Sequence, residues 1–218
     1  MKDSVPLRKL DARPVPRSFF NRDPRRVARE LLGKLLLRAG KNKTFLAARI
    51  VETEAYLGLS DPAAHAFNGV TPRNAVLFGP PGHAYVYFIY GTHFCLNVTC
   101  QPLGKPGCVL FRALEPVAGE EIMAVRRGVV LTGPRDLPKL TGGPGRLTQA
   151  FGITRQQDNA CDLTSPSSGL WIADDGFRPS GIRRTPRIGI RKAKDHRLRY
   201  LIANNPFVSG PKRLNPQP

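Results

Sequence analysis

Acidic side chains are scarce in this chain: 16 Asp and Glu stand against 34 Lys and Arg in 218 residues, a formal net charge of +18. That imbalance argues against cationic partners and favours phosphate backbones or anionic membranes. Long apolar runs are missing too. No stretch approaches the roughly 20 residues of a membrane-spanning helix, and residues 1–11 lack the apolar core of a signal peptide. The expectation is a soluble, cytoplasmic protein with no membrane partner, associated with the nucleoid if its source is bacterial. The four cysteines, Cys95, Cys100, Cys108 and Cys161, form no CxxC pair and have no histidine at zinc spacing. This speaks against a zinc module or a disulfide scaffold and leaves them as small buried hydrophobes. The absence of repeats and low-complexity tracts excludes a solenoid, and the length fits one domain with one core.

What the chain does have is a dense strand-forming run at residues 83–100, HAYVYFIYGTHFCLNVTC, folded at Gly91-Thr92. It reads as a β-hairpin carrying three tyrosines. Alternation sends Tyr85, Tyr87 and Ile89 to one face and Val86, Phe88 and Tyr90 to the other. Tyr90 falls at the turn, where a core cannot easily cover it. In so basic a chain, an aromatic at an exposed turn suggests contact with a flat, negatively charged partner, for which nucleic acid is the obvious candidate.

Along the chain, residues 1–21 carry Pro6, Pro14 and Pro16 among basic residues and read as a loosely attached arm. Asp23-Pro24 is a cap followed by proline at the first helical position, and Gly33 stops that helix. A strand at 35–37 turns at Gly40-Lys41-Asn42 into a second strand at 44–56, on which Ile50, Glu52, Glu54 and Tyr56 share a face. Ser60-Asp61-Pro62 predicts a short helix carrying His65, and Thr71-Pro72 repeats the cap. A strand at 108–114 places Leu110, Arg112 and Leu114 on one side. A helix follows at 119–127, then a Gly- and Pro-rich loop at 131–145 and a helix near 146–151. The loop's glycines before a helix also suit a phosphate site, a weak signal on its own.

Two carboxylates at i and i+2 on one strand face lie roughly 7 Å apart, and partial burial beside an aromatic raises the pKa of at least one. That suits a general base, although a solvated strand edge explains Glu52 and Glu54 equally well. Arg112 inside an apolar strand is the less common case, because an unpaired buried charge is costly. His65 alone also fits a structural histidine, and Tyr85 and Tyr87 fit a core or an interface. The basic stretch at 183–199, with eight Lys or Arg, has the composition of a solvated face.

Taken together, several segments resemble the alkyladenine (3-methyladenine) DNA glycosylases: RIVETEAYLG from Arg49, Asp61 with Ala63-Ala64-His65, TPRN from Thr71, YVYFIYG from Tyr85 and CVLFRALEP from Cys108. Gly143-Pro144, PRIGI from Pro186 and NPFVS from Asn205 continue the match in order. The resemblance implies an α+β fold: a single mixed domain with a curved, largely antiparallel sheet, flanking helices and a protruding β-hairpin. Its boundaries would be a basic arm at 1–18, a glycosylase domain at 19–210 and a tail at 211–218.

The resemblance also implies a monomeric, metal-free and cofactor-free enzyme whose partner is double-stranded DNA containing alkylated bases. Tyr90 would be the intercalating wedge, and Tyr56, His65 and Tyr87 the walls around a flipped base, with Asn97 excluding the 2-amino group of guanine. Glu54 would activate water, placed by Arg112 and the Ile188 carbonyl, with Glu52 in support. A helix-hairpin-helix glycosylase would give the same product on an all-α fold. A basic architectural DNA-binding protein would explain the charge and the hairpin, but not Glu54 and Arg112.

Overall fold

Strand-forming runs and proline-started helices alternate in this chain, and the architecture follows them. In the computed structural model, which describes residues 11–40, 45–89, 91 and 93–210, a short strand β1 (Arg13–Pro14) leads into α1 (Arg17–Phe20) and α2 (Pro24–Leu31). Asp23 caps α2 by accepting the Arg25 N–H at 2.8 Å, and Pro24 takes the first helical position, where a missing N–H is harmless. Next come β2 (Leu35–Ala39), β3 (Phe45–Tyr56), the hairpin strands β4 (Ala84–Ile89) and β5 (His93–Cys100), and β6 (Gly107–Ala118). Four helices follow, α3 (Glu120–Arg127), α4 (Pro138–Thr141), α5 (Pro144–Phe151) and α6 (Arg155–Asp158). The last strands are β7 (Leu170–Asp174), β8 (Ile182–Thr185) and β9 (Arg199–Ile202).

The strands form one antiparallel open sheet in the order β1-β7-β2-β3-β6-β5-β4, with β9 bridging β3 and β8. Strand β3 is the hinge of this arrangement. One edge pairs with β6, while the other is divided between β2 at residues 45–49 and β9 at residues 52–54. The β3–β6 register slips twice near the middle: Ile50 faces Leu114, Glu52 faces Ala113 and Thr53 faces Phe111. Arg112 therefore stands between paired positions, and an irregularity of this kind turns a side chain away from the regular pleat.

Alternation then sorts the two faces. Val86, Leu96, Val98, Val109 and Phe111 join Val27 and Leu31 of α2, Met123 of α3 and Leu147 and Phe151 of α5 in the main core. Thr53 ties β3 to α2 by donating its hydroxyl proton to the Ala28 carbonyl at 2.8 Å. Tyr85, Asn97, Leu110 and Glu54 occupy successive facing positions on β4, β5, β6 and β3, and so share the other face. The result is the expected α+β fold in a single domain.

Five local expectations differ from the structure. The slips after Ile50 carry Ile50 and Leu114 into the main core with Phe111, so they do not share the face of Glu54 and Arg112. Residues 13–17 are not a loose arm: β1 pairs with β7, Val15 is buried, and Arg17 binds Asp162 at 2.6 Å and the Pro81 carbonyl at 2.6 Å. No helix begins at Asp61; a 3-10 turn at Gly58–Ser60 precedes it and His65 lies in a chain of turns. The segment at 131–145 is not a plain loop, because Pro134, Pro138 and Pro144 each open a helical turn. In the basic stretch, Arg187 and Arg199 are buried. The turn residues Lys41, Asn42 and Thr92, and Tyr90 with its wedge role, lie outside the described residues.

Candidate active site

The face shared by β3, β6, β5 and β4 forms the floor of a cavity of about 360 Å3. Tyr56, His65, Tyr85, Tyr87, Asn97 and Arg112 line it, with Pro144 at the start of α5 and residues 188–190 completing the wall. All the expected site residues among those described converge here, Glu54 lying just beneath the surface. A larger groove of about 960 Å3 runs across β1, α2 and β7. Among its carboxylates, Asp174 is answered by Lys34 at 2.7 Å and Arg178 at 3.0 Å, and Asp175 by Arg49 at 2.8 Å. It holds no carboxylate as fully buried as Glu54 of the smaller cavity.

Glu54 has no exposed surface. Its Oε1 accepts the Ile188 N–H at 2.8 Å and lies 3.3 Å from Arg112 Nη1, while Oε2 accepts the Tyr56 hydroxyl at 2.9 Å. Burial pushes this carboxyl above its ordinary range; Arg112, the Ile188 amide and the Tyr56 hydroxyl pull back only part of the way, and Glu52 adds to the rise. A carboxylate so placed is a stronger base than one in water, and its donors hold it at a fixed angle.

Glu52, buried one pleat away, accepts Arg112 Nε at 3.0 Å and Arg199 Nε at 2.6 Å on Oε1, and the Ser209 N–H at 2.6 Å on Oε2. Two buried carboxylates thus face two buried guanidiniums, which satisfies the requirement that interior charges be paired. Ile188 enters through its amide. That contact was not legible in the sequence, because the partner is a backbone group 134 residues from Glu54.

The aromatic wall is self-locking. His65 Nδ1 lies 2.9 Å from the Tyr85 hydroxyl, and the His65 ring meets Tyr87 edge-on at 4.5 Å. Burial pushes the Tyr85 phenol up to about 12, so it keeps its proton. With the phenol donating, the imidazole is the Nε2–H tautomer, an assignment from the hydrogen-bond pattern. Desolvation and then Arg73 hold His65 below its ordinary range, leaving it neutral near pH 7. Asn97, buried in the floor, donates Nδ2 to the Tyr85 carbonyl at 3.2 Å.

Two devices that position these groups were missed as such in the sequence. Arg187 pairs with Asp61 at 2.5 and 2.9 Å, both side chains fully buried, and its guanidinium lies 4.6 Å from the Tyr56 ring centroid. This pair anchors the segment that brings Ile188 to Glu54. Asn74 fastens the turn carrying His65: its Nδ2 donates to the carbonyls of His65 at 2.9 Å and Gly69 at 3.0 Å, and its Oδ1 accepts the Thr71 N–H at 2.6 Å. Asn74→Ala leaves those groups unpaired, so we expect a loss of about 1–3 kcal/mol and weaker ligand binding in the cavity. Equal melting temperature and equal affinity in the variant would contradict this role.

Aromatic side chains thus wall a cavity beneath which a buried carboxylate is held in a fixed orientation by Tyr56, Arg112 and the Ile188 N–H. The chain belongs to the methylpurine-DNA glycosylase family, whose model matches residues 18–206. It is 59% identical over 201 residues to a Koribacter versatilis protein named "Putative 3-methyladenine DNA glycosylase", covering 92% of this chain and 95% of that one. Proteins of the same name from Burkholderia cenocepacia (50% identical; 90% and 91% covered) and Methanoculleus marisnigri (44%; 89% and 98%) are also similar. The protein is thus a DNA glycosylase, a hydrolase of N-glycosidic bonds in base excision repair of alkylation damage, and its substrate is DNA. Among the described residues, no helix is long and apolar enough to cross a membrane.

Proposed function

We propose that the chain extrudes alkylated or deaminated purines of the 3-methyladenine class from duplex DNA into this cavity and hydrolyses their N-glycosidic bond with a Glu54-activated water. The buried Glu54 carboxylate, held by Tyr56, Arg112 and the Ile188 N–H where those residues line the aromatic cavity, is the observation that carries the reading. A base within a duplex is out of reach, so the nucleotide must rotate out and the gap must be filled. Tyr90 is the residue we assign to the gap. Alkylation at N3 or N7 leaves the purine cationic, so it departs without a general acid and gains attraction from tyrosine faces, about 0.5–2 kcal/mol per contact. A neutral His65 adds no repulsion to that cation. Asn97 narrows the floor against the 2-amino group of guanine, and Arg112 with the Ile188 carbonyl positions the water.

Duplexes each holding one lesion, 3-methyladenine, 7-methylguanine, ethenoadenine or hypoxanthine, test the reading against an undamaged control. Free base and an abasic site are expected from the alkylated purines. Release from none of them would sink the proposal. Binding to the duplex should also weaken linearly in log affinity against log salt, as phosphate contacts release counterions. An affinity indifferent to salt would be inconsistent with a basic surface tracking the backbone.

A further inference from the structure

Arg112 approaches Glu54 with Nη1, which lies 3.3 Å from Oε1. Its other donors are engaged elsewhere: Nε donates to Glu52 at 3.0 Å and Nη2 to the Ser209 hydroxyl at 3.3 Å. Ser209, buried at 5% exposure, spends its backbone on the same network. Its N–H donates to Glu52 Oε2 at 2.6 Å and its carbonyl accepts Arg199 Nη2 at 3.0 Å. Arg199 in turn donates Nε to Glu52 at 2.6 Å and Nη1 to the Thr185 hydroxyl at 3.2 Å. The chain beyond β9 therefore returns beneath the active site and closes a ring of charge-assisted bonds around the arginine. Ser209 lies three residues past the 18–206 match to the family model.

An arginine free to turn would take a carboxylate bidentately, which is the stronger geometry. With Nε and Nη2 held by Glu52 and Ser209, Arg112 does not do so with Glu54. We propose that Ser209 is a positioning residue for the hydrolysis: its hydroxyl, with Glu52, restrains Arg112 so that Nη1 faces Glu54 and the guanidinium does not close bidentately on the carboxylate. The inference rests on Glu54 being the general base. Other groups acting on Glu54 are Glu52 and Tyr56 on its own strand, Arg187 and the Ile188 amide on the 186–190 segment, and Cys95 on β5; Arg199 faces it in register from β9. None of these changes when only the Ser209 hydroxyl is removed.

Ser209→Ala deletes that hydroxyl and keeps the backbone bonds. Arg112 is then expected to close on Glu54, lowering the Glu54 titration midpoint followed by carboxyl NMR and shifting the acid limb of single-turnover base release to lower pH. The rate at neutral pH should fall on the order of 10- to 100-fold, the scale of an ångström-sized misplacement, with lesion-duplex affinity unchanged. Ser209→Thr, which keeps the hydroxyl, should restore both midpoint and rate. If Ser209→Ala fails to fold, Ser209→Cys, a poorer acceptor at the same place, reads the same midpoint. An unmoved midpoint in the hydroxyl-free variant overturns the proposal, as does a rate loss that threonine does not repair. The NMR midpoint is independent of turnover, so a wild-type protein that releases no base would overturn the proposed function while the positioning claim is judged separately.

Discussion

Replacing Glu54 with glutamine should lower base release by about 10²–10⁴-fold, the usual contribution of a general base, while leaving DNA binding intact. The amide has the shape of the carboxylate, so the Ile188 N–H, 2.8 Å from Oε1, keeps an acceptor. Tyr56 can reverse its role and accept from the new amide. Arg112 keeps the same oxygen at 3.3 Å, now without its negative charge, and retains Glu52 and Ser209. The fold and the cavity should therefore survive, and only the proton acceptor is lost. The pH profile sharpens the test. Glu54 acts as base when ionised, and burial sets its protonation above the ordinary carboxylate range, so wild-type release should decline in mild acid at a higher pH than a free glutamate would give. The variant's residual rate should lack that limb. Single-turnover release from a 7-methylguanine duplex between pH 4 and pH 8 measures both features, and wild-type rates in the variant would remove Glu54 from the mechanism.

The strand that carries Glu52 and Glu54 was legible because period-2 alternation is a local property. Glu52, Glu54 and Tyr56 on one face of β3, and Arg112 on β6, follow from counting alternate residues, and so do Tyr85 and Tyr87 on β4. What joins them was not legible. Arg187 and Arg199 lie in a stretch whose composition suggests a solvated face, but their carboxylate partners are 126 and 147 residues away. Local charge density says nothing about so distant a partner. Asp61-Pro62 has the form of a helix cap, yet its carboxylate accepts the Ala63 and Leu57 N–H groups and binds Arg187, so tertiary pairing fixes a turn in place of a helix. The arm was misread for a similar reason. Val15 and Arg17 find their partners on β7, at Pro81 and at Asp162, none of which is near in sequence. The division of one β3 edge between β2 and β9 likewise depends on a strand at the far end of the chain.

The pair that secures the Ile188 segment supplies the second large effect. Asp61→Asn should cost about 3–5 kcal/mol of stability, because removing one partner of a buried pair leaves the other charge uncompensated. Arg187 is poorly placed to recover. Its side chain is fully buried, its Nε has no hydrogen-bond partner, and its remaining contacts are the Ala55 carbonyl at 3.1 Å and the Tyr56 ring. For a domain of this size the loss corresponds to a fall in melting temperature on the order of 10 °C.

The pH dependence has a definite sign. Burial alone would raise the Asp61 pKa, but Arg187 and the Ala63 and Leu57 amides outweigh it and hold the carboxyl below its ordinary value. The folded protein therefore binds this proton more weakly than the unfolded chain. The stabilisation is complete above the unfolded value near pH 4 and is lost as pH falls through the lower folded value. Thermal unfolding of the two proteins should accordingly differ most at neutral pH and converge in acid. Base release should suffer as well, since a loosened Arg187 no longer holds Ile188 against Glu54. The double variant Asp61→Leu with Arg187→Met separates the two effects: packing without charge should recover most of the stability, whereas catalysis should stay low because neither side chain anchors the segment through paired charge. A single variant as stable as wild type at pH 7, or a double variant with full activity, would show that the ion pair does not hold this side of the site.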